Sequence, residues 1–135
     1  MRRSINNLSQ LFSKLYTQDA DSAIARIDTL YGSQHFCCVN FVYRAQISMQ
    51  HVPSNSDSSY IKALYASDLL LPDGIALQLV YWIRNHTRIP NLNGTDFTPH
   101  VLQYFHQKYN GKVSLYLFGS KEHTVKNAEN YLHVQ

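Results

Sequence analysis

The chain has 135 residues, of which 44% are hydrophobic and 16% charged. These proportions describe one ordinary globular domain and argue against a disordered tail. The net charge of +3 comes without a dense Lys/Arg run or a basic stripe interleaved with aromatics, so nucleic acid is not an indicated partner. No run approaches the roughly 20 apolar residues of a membrane-spanning helix, and Asn6, Asn7, Ser9 and Gln10 interrupt any signal-peptide core after Met1-Arg2-Arg3.

Ile5, Leu8, Leu11, Phe12 and Leu15 recur at helical spacing, which predicts an N-terminal helix within residues 1–18, ahead of an α/β domain over 19–135. Asp19 or Asp21 can cap a second helix carrying Ile24, Ile27, Leu30 and Tyr31, with Gly32 as its stop. Asp19-Ala20-Asp21 also spells a D-x-D metal motif, but it precedes a helix and reads as a cap. Phe36 through Tyr43 is a β-prone run read as a buried strand. Cys37 and Cys38 are adjacent on it and point to opposite faces, so they read as reduced thiols.

Residues 44–59 read as a loop, after which Ser56 or Asp57 can cap a helix with Tyr60, Ile61, Leu64 and Tyr65 on one side. Leu69-Leu70-Leu71 predicts a second buried strand, broken by Pro72-Asp73-Gly74. The run from Ile75 to Asn85 predicts a helix whose inward stripe is Ile75, Leu79, Trp82 and Ile83. Thr95 or Asp96 is the expected cap of the next helix, with Pro99 in its permissive first turn and Asn110-Gly111 as its stop. Val113 through Phe118 is the clearest predicted strand, turned by Gly119-Ser120 into a helix bearing Val125, Ala128, Tyr131 and Leu132.

Strands alternating with helices predict a Rossmann-like α/β layered fold with a mostly parallel sheet flanked by helices. In such sheets ligands sit beyond the carboxyl ends of strands. The turns at Pro72-Asp73-Gly74 and Gly119-Ser120 lie there, and the segment Asn93-Gly94-Thr95-Asp96 can fold back to the same rim. The seven histidines show no ligand spacing, and no metal or cofactor site is read.

Four segments in order carry a resemblance. Ser67-Asp68-Leu69-Leu70-Leu71-Pro72-Asp73-Gly74-Ile75 resembles the "aDlvlPDGig" signature of the WecG/TagA/CpsF glycosyltransferases. Cys38-Val39-Asn40 is similar to that family's "T-x-N" strand, Asn93-Gly94-Thr95-Asp96-Phe97 to its "G-[ST]-D-[LF]" motif, and Leu115 through Lys121 to its "vfLlGgk" strand and turn.

The resemblance implies an inverting bacterial transferase. It would move N-acetylmannosamine or its uronic acid from a UDP donor to a polyprenyl-diphosphate-linked sugar acceptor, in teichoic acid, common-antigen or exopolysaccharide synthesis. It implies Asp73 as the general base and Asn40 near the sugar. A sugar hydroxyl is a poor nucleophile and needs such a base within hydrogen-bond reach. Gly74 then lets the acceptor approach, Asn93 to Asp96 shape the sugar pocket, and backbone N–H groups at Gly119 and Ser120 cradle the diphosphate. A cytoplasmic location, peripheral contact with the inner face of the membrane, and self-association go with it.

The sequence departs from the family at four places, one of them the stretch 44–59, which is longer than usual between Asn40 and Asp73. Cys38 stands for the threonine, and the arginine expected three residues before Gly94 is Asn91, with Arg88 nearby. The family's second half, with its "G-x-P-x-Q-E" segment, would lie beyond Gln135, so the fold is expected to be incomplete. The alternative reading is an inactive truncated remnant that binds nucleotide weakly or self-associates.

Overall fold

The computed structural model describes residues 10–34, 36–43, 59–119 and 121–133. The readings made for residues 1–9, for the loop 44–58 with its caps Ser56 and Asp57, and for Ser120 lie outside the described residues. The chain divides into two compact units, one running to Tyr104 and one beginning at Phe105.

The first unit contains α1 (Ala20–Gln34), β1 (Val39–Tyr43), α2 (Ser59–Ala66), β2 (Leu69–Asp73), α3 (Ile75–Asn85) and most of α4 (Gly94–Lys108). β1 and β2 pair in parallel, with Val39 opposite Leu69 and Tyr43 opposite Asp73. On the other side of β2, Leu15 forms an isolated parallel bridge to Leu70, and the Tyr16 N–H donates to the Leu70 carbonyl at 2.8 Å. β2 is therefore the middle of three extended segments, which explains its near-continuous apolar sequence. The segment expected as a separate N-terminal helix is helical at 10–14 and then joins the sheet.

Partner residues in a parallel ladder point to the same face, and faces alternate along each strand. Val42 and Leu70 lie on one face and pack with Leu11, Phe12, Leu15, Leu64, Leu77 and Ile89. The opposite face carries Phe41, Leu69 and Leu71. There the Phe41 ring meets Phe97 of α4 edge-on at 6.3 Å, and Tyr104 of α4 donates to Asp28 of α1 at 3.0 Å. Helices cover both faces, and the fold is the α/β layered arrangement that the alternation of elements predicts.

α1 starts where Asp19 accepts the Ser22 N–H at 2.8 Å, so this residue of the D-x-D sequence is a helix cap. Ala23, Ile24, Ile27 and Leu30 form its buried stripe. The helix continues past Gly32 to Gln34. Gly32 is not among the positive-φ residues, so it lacks the left-handed geometry by which glycine stops a helix.

α3 turns the opposite face inward from the one its strongest stripe suggests. Leu77 is buried, with Val80 and Tyr81 packed on the core. Ile75, Leu79, Trp82 and Ile83 are 76%, 51%, 46% and 61% exposed. The helix is apolar nearly all round, so periodicity does not distinguish its faces. Docking on the Leu70/Val42 face does.

α4 begins at Gly94, so Pro99 falls in its second turn, where proline removes a helical hydrogen bond. In the second unit, Asn110 and Gly111 take positive φ and the Gly111 N–H closes the helix on the His106 carbonyl at 2.8 Å. α5 (Glu122–His133) carries a Glu122–Lys126 ion pair at 2.8 Å. Residues 112–118 belong to neither helix nor strand, contrary to the strand expected at Val113–Phe118. A strand exists only through ladder partners, and β-prone residues favour it where a half-buried pleated surface receives them. Tyr116 and Phe118 are instead almost fully exposed. No helix of the described residues is long and apolar enough to cross a membrane.

Two outcomes test this arrangement. Leu77→Ala should lower stability by about 2–5 kcal/mol in chemical denaturation, whereas Ile75→Ala should stay within about 0.5 kcal/mol. The reverse order would mean that α3 docks by its other face. The Ser22 backbone N–H, and then its hydroxyl, hold the Asp19 carboxyl below the usual aspartate range. A depressed folded-state pKa contributes stability above the unfolded pKa and loses it as pH falls through the folded one. The melting-temperature gap between wild type and Asp19→Ala should therefore be present near neutrality and close below pH ~4.

Candidate active site

The most developed polar site lies at the carboxyl end of β2, and backbone hydrogen bonding builds it. The peptide groups of Leu70 and Pro72 face away from β1: Leu70 accepts from Tyr16, and Pro72 accepts the Leu92 N–H at 2.9 Å. The missing N–H of Pro72 therefore falls on the side away from β1, so proline can extend the strand instead of breaking it. The strand runs on through Pro72 to Asp73.

Gly74 makes the turn into α3 with φ 91° and ψ 148°, a backbone region open essentially to glycine alone. A Cβ there would meet nothing within 4 Å, so the requirement is one of backbone conformation and the space above the residue is open. The Gly74 N–H donates to Asn91 Oδ1 at 2.7 Å. Its carbonyl accepts from Leu77 at 3.1 Å and Gln78 at 3.3 Å, starting α3. The Gln78 side chain donates to the Ile89 carbonyl at 2.7 Å, tying the connection after α3 back onto that helix.

The segment 91–96 thus does return to the rim of β2. Gly94 rests on the Phe41 ring, where a Cβ would sit 3.5 Å from ring carbons. Asn93 caps α4, in the place expected of Thr95 or Asp96. Its Oδ1 accepts the Asp96 N–H at 2.9 Å while its Nδ2 donates to Asp96 Oδ2 at 2.7 Å. This reciprocal pair has the logic of a capping box. Thr95 and Asp96 are exposed. The bonds from Leu92 to Pro72 and from Gly74 to Asn91, with Gly94 against Phe41, bring the start of the segment to the strand end that carries Asp73, and Asn93, Thr95 and Asp96 follow along it. Tyr43, whose Cα is the register partner of Asp73 at about 4.8 Å by strand spacing, joins them. Sequence reasoning missed Tyr43 because only the register brings it there.

Cys38 and Asn40 lie elsewhere. Asn40 pairs with Leu70, three strand residues or about 10 Å from the level of Asp73. By alternation it lies on the other face of the sheet. Its Nδ2 donates to the Ser67 hydroxyl at 2.7 Å, and that hydroxyl donates to Ala63 at 3.0 Å. The Cys38 N–H donates to Asp68 Oδ2 at 2.8 Å, and the Cys38 carbonyl accepts the Asp68 N–H at 2.9 Å. These contacts clasp the start of β2 to β1. Cys37 and Cys38 are free thiols, and burial, reinforced by Asp68, pushes the Cys37 thiol up, so it stays protonated near neutrality. Arg88 is exposed in the connection after α3. Gly119 lies in the second unit with φ 111° and open space around it.

A carboxylate at a strand end, beside an open glycine and an exposed amide, can accept a proton from a bound hydroxyl. Comparison with known families gives a match over residues 9–135 to the Glycosyl transferase WecG/TagA/CpsF family. No curated protein and no solved structure matches the chain.

Gly74→Ala places a Cβ in a conformation that L-residues avoid, without a clash to relieve. It should cost about 1–3 kcal/mol of stability, read as a lower denaturant midpoint with an unchanged slope.

Proposed function

The chain belongs to the WecG/TagA/CpsF family of glycosyltransferases, and on that premise we propose that Asp73 is the general base of an inverting sugar transfer. Membership gives the chain a glycosyltransferase role in cell-surface polysaccharide synthesis, with a sugar donor and an acceptor as substrates. The finer assignment is a UDP-linked donor of the N-acetylmannosamine or uronic acid type and a polyprenyl-diphosphate-linked sugar as acceptor. The reaction runs at the inner face of the cell membrane.

The observation that carries this reading is the position of Asp73. It ends the central strand, borders a glycine with open space above it, and is half-buried. In the reaction the acceptor hydroxyl gives its proton to the Asp73 carboxylate as its oxygen attacks the anomeric carbon. The bond from that carbon to the diphosphate oxygen breaks, and UDP leaves with the electron pair. Attack opposite the leaving group inverts the centre. Both ends of the Asn93 amide bond to Asp96, and the pair serves the site by fixing the start of α4. Gly94 keeps that start close against Phe41, and Thr95 lines the opening. The clasp formed by Cys38, Asn40, Ser67 and Asp68 favours a structural role for Asn40, holding the two strands in register.

Asp73→Asn keeps the size of the side chain and removes its basicity, so acceptor-dependent UDP release should fall by about 100-fold or more, with the melting temperature nearly unchanged. Undiminished release from a folded Asp73→Asn protein would remove Asp73 from the role.

A further inference from the structure

The hydrogen bond between Gly74 and Asn91 fixes more than a turn. A peptide N–H can only donate, so the Asn91 side chain must present its oxygen to Gly74. The amide orientation is thereby set by the partner's chemistry, and Nδ2, with its two N–H donors, faces away. Asn91 is exposed, and among the described residues its Nδ2 meets no acceptor. Asn93, two positions on, is the contrast: both ends of its amide are engaged by Asp96.

The residue that carries these donors is bonded to the peptide group that follows Asp73. One bonded 2.7 Å step separates Asn91 Oδ1 from the Gly74 nitrogen, and that nitrogen is bonded to the Asp73 carbonyl carbon. A carboxylate that only accepts and an amide nitrogen that only donates, held on one open rim, form the complement of a hydroxyl group, which does both.

We propose that Asn91 acts in two directions: its Oδ1 fixes the turn after Asp73, and its Nδ2 donates to the oxygen of the acceptor hydroxyl that Asp73 deprotonates. The proposal rests on the reading of Asp73 as the base. The hydroxyl proton goes to Asp73. One oxygen lone pair accepts from Asn91, leaving the second to form the bond to the anomeric carbon as the bond to the diphosphate breaks. Asn91 thus selects the rotamer in which that lone pair is presented, and it does so without placing a charge next to the carboxylate. The ligand class it suits is a neutral, hydroxyl-bearing acceptor sugar.

The deciding variant is Asn91→Asp. A carboxylate oxygen keeps the bond from the Gly74 N–H, while both Nδ2 donors are replaced by an acceptor that repels Asp73. Binding of a short-chain polyprenyl-diphosphate-N-acetylglucosamine to the 135-residue chain would be followed by NMR, with the Gly74 amide signal reporting the clamp and Asp73→Asn run alongside. The expected result is a Gly74 amide that stays protected from exchange in Asn91→Asp, together with acceptor binding weakened by about tenfold or more. Unchanged acceptor affinity in Asn91→Asp would overturn the donor role alone. A Gly74 amide that is equally protected in Asn91→Ala would overturn the clamp. Absence of acceptor binding by the wild-type chain would overturn this proposal, whereas full transfer activity in Asp73→Asn would overturn the reading of Asp73 on which it rests.

Discussion

The site depends on where the peptide groups of β2 turn. Along this strand they alternate between β1 and the opposite side, and Leu70 and Pro72 face that opposite side. At Leu70 the N-terminal segment satisfies the carbonyl through Tyr16. At Pro72 the loop after α3 does so through Leu92. A buried carbonyl without such a partner would be costly. The need to satisfy Pro72 therefore pulls residues 91–96 onto the rim that carries Asp73. Proline is compatible with this place because its missing donor falls on the same side, away from the ladder with β1.

The clamp at Gly74 follows from the same geometry. Once Leu92 is anchored on Pro72, its neighbour Asn91 is within reach of the next peptide N–H that points that way, which is Gly74. Two short bonds, 2.9 Å and 2.7 Å, then hold the strand end and its turn from one side. The positive φ of Gly74 is maintained by this clamp from outside and by the first α3 bonds from within. Asp73 is placed by backbone bonding to both sides of it, the rigidity that the role of base proposed for it would need.

Much of this was legible in the sequence where the signal is local. Asp19 as a cap, Asn110-Gly111 as a stop, Leu69 to Leu71 as a buried strand and the glycine after Asp73 all follow from propensities within a few residues. The family was legible from four short segments in order. What failed needed partners that no local pattern names. Val113 to Phe118 has strand composition but takes no strand. α3 has apolar residues on every side, so the stripe through Trp82 looked inward until the sheet showed that Leu77 is the buried position. Asn40 is not among these failures: the motif makes it a site residue, and its contacts describe its structural surroundings alone. Register sets it opposite Leu70 and bonded to Ser67, while the same register brings Tyr43 level with Asp73 without any sequence signal.

Asn91 shows the limit most clearly. Against the family pattern it is a missing arginine, and so it reads as a loss. In the structure it is the residue whose side chain bonds the turn after Asp73. An arginine could not make that bond, because guanidinium has no acceptor atom and the Gly74 N–H needs one. The exchange of a charged, donor-only side chain for a neutral one with both donor and acceptor therefore changes what the position does. It gives up positive charge for a fixed backbone and an oriented pair of N–H groups. For the diphosphate-linked donor proposed above, compensating charge must then come from elsewhere, and Arg88, exposed three residues earlier in the same connection, is the nearest cation in sequence to supply it.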